Sequence, residues 1–266
     1  MPAPRPTRKS RPSRPAGPRR IPENVRNRPK WELALEMIDE LVLWGRTCPV
    51  AVADAGYGDN TYFRAGLTAR SIPWVMAVKA GNTAYPADAV PERLASGGGR
   101  GRPSVPRYRQ DAETLRDMAL AAGRRQLHQV TWRHGTKTAG GNRTAAMKSR
   151  FLALRVRPAN RHIPRAEDGS LPMAWLVVEW PPHEPEPTDY WLSDLPADTP
   201  LKTLVRLAKI RWRIEHDYRE LKTGLGLSHF EGRSFTGFHH HATLVSAAHL
   251  FITRKRLATP KAEGAA

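Results

Sequence analysis

Pro49-Val-Ala-Val-Ala-Asp54-Ala-Gly-Tyr-Gly58 is a short apolar run that ends in a carboxylate and a glycine turn. Such a run reads as a buried strand with Asp54 at its C-terminal end. Asp59 or Asn60 can cap a helix to about Arg70, and Ile72–Val78 has the pattern of the next strand. Strand, helix and strand in direct succession form a βαβ-like unit, so the spacing predicts an α/β (α+β) fold. Upstream, Leu33, Met37, Ile38, Leu41 and Val42 fall on one face of a helix from Trp31 to Trp44, closed by Gly45.

Beyond residue 82 the pattern changes. A Gly/Pro/Arg-rich loop over Ala95–Pro106 leads to four strand-like runs, Gln129–Arg133, Arg150–Arg157, Met173–Trp180 and Tyr190–Leu192. Turn-rich links at Gly140-Gly-Asn142 and Asp168-Gly169 predict hairpins. The last third is helical: Thr199-Pro200 is a start signal for a helix-compatible pattern to about Gly224, and a second helix is expected over Phe238–Leu257. The expected organisation is a tail (1–29), the first part of a core (30–81), a mostly β insertion (82–198), the helical end of the core (199–257) and a second tail (258–266).

Of 266 residues, 43 are Lys or Arg and 25 are Asp or Glu, a net charge of +18, while 40% are hydrophobic. That is apolar enough for a core, and the charge makes a polyanion the first partner to consider. No run approaches the length of a membrane span, no signal-peptide-like stretch opens the chain, and the single cysteine, Cys48, excludes a disulfide framework. Residues 1–30 hold ten basic residues and eight prolines against one acid, Glu23. This composition predicts disorder. A nucleic-acid-binding arm, a solvated tail without a task and an accidental reading of GC-rich DNA are equally compatible with it.

The segment around Arg211 carries the most chemistry. On a continuous helix Arg211, Glu215, Tyr218 and Lys222 share one stripe. A carboxylate between two cations and a phenol can hold a divalent cation while its neighbours hold phosphate oxygens, and the same spacing also suits a surface salt-bridge ladder. Asp54 has two readings as well, a ligand or metal residue at a strand's C-terminal end and a cap for the turn that follows. His239-His-His241 cannot converge on one ion from a helix, since consecutive side chains diverge by about 100°. Trp175 and Trp180 fit a two-sided sheet core, whereas Trp132, beside Arg133, is the better candidate for stacking a base.

Val52-Ala-Asp54-Ala-Gly-Tyr-Gly-Asp59, followed far downstream by Arg211-Trp-Arg-Ile-Glu215 and Lys222, resembles a bacterial insertion-sequence transposase of the DDE type. It is similar to the branch with a long β-strand insertion and a Tyr-x2-Arg-x3-Glu-x6-Lys signature, in which Arg211, Glu215 and Lys222 match and Ala208 replaces the Tyr. Gly226-Leu-Ser-His-Phe-Glu-Gly-Arg-Ser234 and Gly237-Phe-His-His-His241 also resemble this branch. The resemblance implies an RNase H-like fold, a pair of Mg²⁺ ions held by three carboxylates, cut-and-paste chemistry on transposon ends, and a place in the bacterial cytoplasm at the nucleoid. Asp54 matches the second Asp and Glu215 the Glu; Arg211, Tyr218, Lys222 and Trp132 are the candidate DNA contacts. No carboxylate matches the first Asp, so the chain is expected to be an N-terminally truncated transposase, inactive alone, with Val50–Asp54 left as an open sheet edge. The alternative is a non-catalytic DNA-binding fragment that modulates transposition, for instance by occupying transposon ends or pairing with full-length enzyme; the candidate partners are DNA at transposon ends and further copies in a homo-oligomer.

Overall fold

The computed structural model describes residues 21–23, 25–93, 106–133 and 146–258. Most of the basic tail, the Gly-rich loop before Pro106, the Gly140-Gly-Asn142 turn and the stretch after Ala258 lie outside them. The described residues form two compact units, one within Arg28–Trp212 and the other made of those from Arg213 onward and those before Arg28.

The first unit runs α1 (Lys30–Leu43), β1 (Ala51–Ala53), α2 (Ala55–Gly58), α3 (Thr61–Ala69), β2 (Trp74–Val78), β3 (Thr83–Pro86), β4 (Glu113–Thr114), α4 (Leu115–Ala122), β5 (His128–Arg133), β6 (Met147–Pro158), β7 (Ala174–Glu179), β8 (Asp189–Ser193) and α5 (Leu201–Lys209). The strands form one mixed sheet in the order β1-β2-β8-β7-β6-β3-β4, with β5 added on β6. β1 and β2 are parallel, with Ala53 opposite Met76, as the βαβ pattern requires. Every other pair is antiparallel, β2–β8, β5–β6 and β6–β7 among them. The parallel pair with its crossover helices agrees with an RNase H-like α/β arrangement. The strands of residues 82–198 continue the same sheet, since β8 lies directly against β2. β1 is an edge strand among the described strands.

Alternation along each strand builds two cores. Trp74, Met76, Val78, Leu152, Val156, Leu176, Val178, Tyr190 and Leu192 face one side with α1, α3 and α4, through Leu35, Phe63, Leu67, Leu115 and Met118. Val75, Phe151, Val177 and Trp191 face the other and are covered by Leu204, Val205 and Ala208 of α5. Both faces are therefore buried, which is why the strands read as nearly continuous apolar runs. Asn60 caps α3 by accepting the Phe63 N–H at 3.0 Å, which decides between the two expected caps.

The helical end departs from the sequence reading at one point. The pattern from Pro200 to Gly224 is not one helix: α5 ends at Lys209, Ile210 and Arg211 form a turn, α6 covers Trp212–Arg219, and a π-helical turn follows over Glu220–Gly224. α5 closes with a tightened bond from Ile210 N–H to Leu207 O (3.3 Å), while Lys209 is drawn to Glu179 on β7. α7 then spans Phe235–Ala258.

Candidate active site

Asp54 sits just past β1 and caps α2. Its Oδ1 accepts the Gly56 N–H at 3.0 Å, and its carbonyl accepts the N–H groups of Tyr57 (3.1 Å) and Gly58 (2.7 Å). Its Oδ2 stands 3.9 Å from Arg211 Nη2, and both side chains are more than two-fifths open to solvent (43% and 46%). One oxygen therefore caps the turn, as one of the two readings expects, and the other faces a guanidinium. The glycines follow from packing. A Cβ on Gly58 would run into the Ala77 carbonyl of β2, so the turn lies flat on the neighbouring strand only without one.

Below this turn Arg64 is buried and donates to the Gly58 carbonyl, with its guanidinium 5.9 Å from the Trp74 ring centre. Desolvation lowers its pKa, while the charge of Asp59 works the other way. Asp59 in turn accepts the Lys79 N–H (3.0 Å) and the Asn82 side-chain amide (2.8 Å), pinning the turn that leaves β2. These residues fix the backbone on which Asp54 is presented.

Asp54 opens into a cavity of about 540 Å³ whose charged lining is Asp54, Lys79, Arg116, Glu186, Asp189 and Arg211. This is the crevice beyond the carboxyl ends of parallel strands, where open α/β sheets place ligands. Arg116 and Glu186 form a two-pronged pair (2.8 Å from Nε to Oε2), which raises the arginine's pKa and lowers the carboxyl's. Sequence reasoning did not single out Lys79, although its place at the end of the strand parallel to β1 was a usable signal. Arg116, Glu186 and Asp189 come from distant segments, and nothing local marks them.

In the second unit Glu215 and Tyr218 lie exposed on α6, and Lys222 follows within the π turn, its Nζ 5.7 Å from the Tyr218 ring centre. The expected single stripe is therefore interrupted twice: Arg211 precedes the helix, and the wider π turn shifts the phase of Lys222. Glu220 binds Arg256 (2.6 Å) and approaches His249 (3.5 Å), and the arginine holds its carboxyl below the usual range. His241 donates to the Gly226 carbonyl at 2.9 Å, and His239 packs against Phe235 and Phe238. Trp132 meets Phe151 edge-on and has Lys209 Nζ 5.3 Å from its ring centre, as part of the core under α5. A base stacking there would have to displace Lys209.

Among the described residues no group of three or more His, Cys, Asp or Glu could hold a metal ion. Glu186 in the cavity is engaged by Arg116, and Asp54 by its cap and Arg211. The described residues therefore do not fit the paired-ion site that three carboxylates provide. Nor is any helix among them long and apolar enough to cross a membrane.

No curated protein matches the chain. A family described as DDE superfamily endonuclease matches residues 3–139, a stretch that includes Asp54, Lys79 and Arg116 and ends before Glu215. With more than half of its 266 residues matched, and with a strand-end carboxylate in an RNase H-like sheet, the chain belongs to the DDE superfamily endonucleases.

Proposed function

We propose that the chain takes part in DNA transposition, in Mg²⁺-dependent cleavage and strand transfer at the ends of a bacterial insertion sequence, and that it is inactive by itself. The observation that carries this reading is Asp54, a carboxylate at a strand end with one oxygen facing Arg211 in a cavity lined by both cations and carboxylates. Glu215 is the second catalytic carboxylate, and Arg211, Tyr218 and Lys222 contact the phosphates. What supports inactivity is that, among the described residues, no group of three or more His, Cys, Asp or Glu is placed to hold a metal ion. Among the described strands β1 stands at the sheet edge, where a further strand carrying an Asp would add a carboxylate. The same ligand count also favours a second reading, a DNA-binding chain that modulates transposition without cutting.

The expected result is that the chain with Mg²⁺ leaves DNA bearing the element's own ends uncut. A fusion adding an Asp-bearing strand segment ahead of Pro22 restores cutting. In that fusion Asp54→Asn and Glu215→Gln each reduce cleavage on the order of a thousandfold or more, as the loss of several kcal/mol of transition-state stabilisation requires, while DNA binding persists. Metal-dependent cutting by the unfused chain that Asp54→Asn removes would overturn the claim of inactivity. Undiminished cleavage without Glu215 would reduce its helix to a salt-bridge ladder.

A further inference from the structure

The β5–β6 pair extends past the rest of the sheet. β7 pairs with β6 only over Phe151–Val156, so Met147–Arg150 and their partners on β5 form a two-stranded ribbon. Gln129 lies opposite Arg150 and Thr131 opposite Lys148. By strand alternation Lys148 and Arg150 share the face of Leu152, but no core covers them: Gln129, Lys148 and Arg150 are all exposed. Beside them the exposed Arg124 stacks over Trp180 at 4.5 Å, and the Trp180 N–H donates to the Arg150 carbonyl (2.9 Å). Arg124 also donates to the carbonyls of Pro182 (3.4 Å) and Glu184, which fix its position without neutralising its charge. Among the described residues none of Arg124, Lys148 and Arg150 is paired with a carboxylate.

We propose that this ribbon face is a docking surface for duplex DNA, separate from the Asp54 cavity. The proposal rests on the reading of the chain as one that acts on DNA, and charge complementarity selects the partner. Three unneutralised cations flank two uncharged hydrogen-bonding side chains, and a two-stranded ribbon has the width that a B-DNA major groove admits. Lys148 and Arg150 stand about 6.8 Å apart along one strand, a spacing suited to separate phosphates. Gln129 and Thr131 on the neighbouring strand can reach base edges or sugars. Single-stranded DNA is the competing occupant, and it would draw on stacking rather than on this flat polar face.

The test is a fluorescence-anisotropy titration of the full chain with a mixed-sequence duplex of about 20 base pairs, long enough to span about two helical turns, at several salt concentrations. Lys148→Ala with Arg150→Ala is expected to flatten the log–log salt slope by about two, since each phosphate that is no longer neutralised takes away about 0.9. Lys148→Arg with Arg150→Lys keeps the slope, and thermal midpoints stay unchanged because the replaced side chains are exposed. Lys30→Ala with Arg46→Ala, two exposed cations at the ends of α1, is the control for net charge and leaves the slope nearly unaltered. An unchanged slope in the ribbon variant, an equal flattening in the control, or a loss confined to the corresponding single strand overturns the ribbon while leaving the DNA reading standing. Failure of the wild-type chain to bind duplex DNA at all would sink both.

Discussion

Asp54 and Glu215 come from regions built in opposite ways. Around Asp54 the sheet unit is packed from both sides, with Leu67, Met76, Phe151, Leu176 and Leu192 at most 1% exposed. In the helical unit that carries Glu215, Val245 is the one buried hydrophobic residue among those described, while Leu244 (71%) and Phe251 (62%) are open. The difference teaches that one carboxylate is presented by a scaffold that folding itself makes rigid, whereas the other stands on helices that lack a core of their own. Helices without a buried stripe draw little stability from tertiary packing, so their geometry is set by whatever they later contact.

The sharpest way to break this contrast is to truncate one large apolar side chain on each side of it. Phe151 is fully buried between Trp132 and the α5 layer, so Phe151→Ala should cost about 3–5 kcal/mol by denaturant unfolding. Leu244→Ala should stay within about 0.5 kcal/mol, because the side chain gives up little on folding. Comparable costs for the two would mean that the helical unit has a core after all, and the contrast would fall.

A smaller but more local effect is expected at the turn that presents Asp54. Gly58→Ala drives a methyl group into the Ala77 carbonyl of β2, and the turn must lift away from the sheet. Overpacking of this kind costs about 1–3 kcal/mol. It should also move the Asp54 and Gly56 amide NMR signals while leaving those of α7 in place. Changes spread evenly over both units would show that they respond as one.

How far these regions were legible differs for the same physical reason. The elements of the sheet unit follow from local pattern: β1, α3, β2 and β5–β8 fall within a few residues of their expected spans, because two buried faces and turn residues mark them. β3, β4 and α4 carry no such signal; α4 is only eight residues long and follows a stretch of mixed polarity. On the helical side periodicity carried the expected helix through Ile210–Arg211, where it stops. At that end Lys209 reaches Glu179, a contact between segments about 30 residues apart that spacing alone cannot reveal. Asp54 was readable as a strand-end carboxylate, but its Arg211 neighbour and the Arg116–Glu186 pair across the cavity are long-range facts.

The smallest expected effect sharpens the account of the sheet unit's rigidity. Asp194, just beyond β8, accepts the Trp74 N–H at 2.7 Å and the Thr68 hydroxyl at 3.3 Å, tying the end of β8 to β2 and α3. Burial pushes its carboxyl pKa up, and the two hydrogen bonds pull the other way without cancelling it. A carboxyl whose pKa is raised by folding favours the native state while protonated. That contribution is fully present below its ordinary value near 3.8 and is lost as pH rises through the folded value, so the ionised group is a burden at neutral pH. Asp194→Asn keeps an oxygen for the Trp74 N–H and removes the charge. The variant should therefore be more stable than the wild type at pH 7, by under about 1 kcal/mol since the group is only partly buried and water screens it. The gain should shrink as pH falls toward 4. A variant less stable than the wild type at pH 7 would mean that the ionised carboxylate itself, through its bonds to Trp74 and Thr68, holds β8 in place.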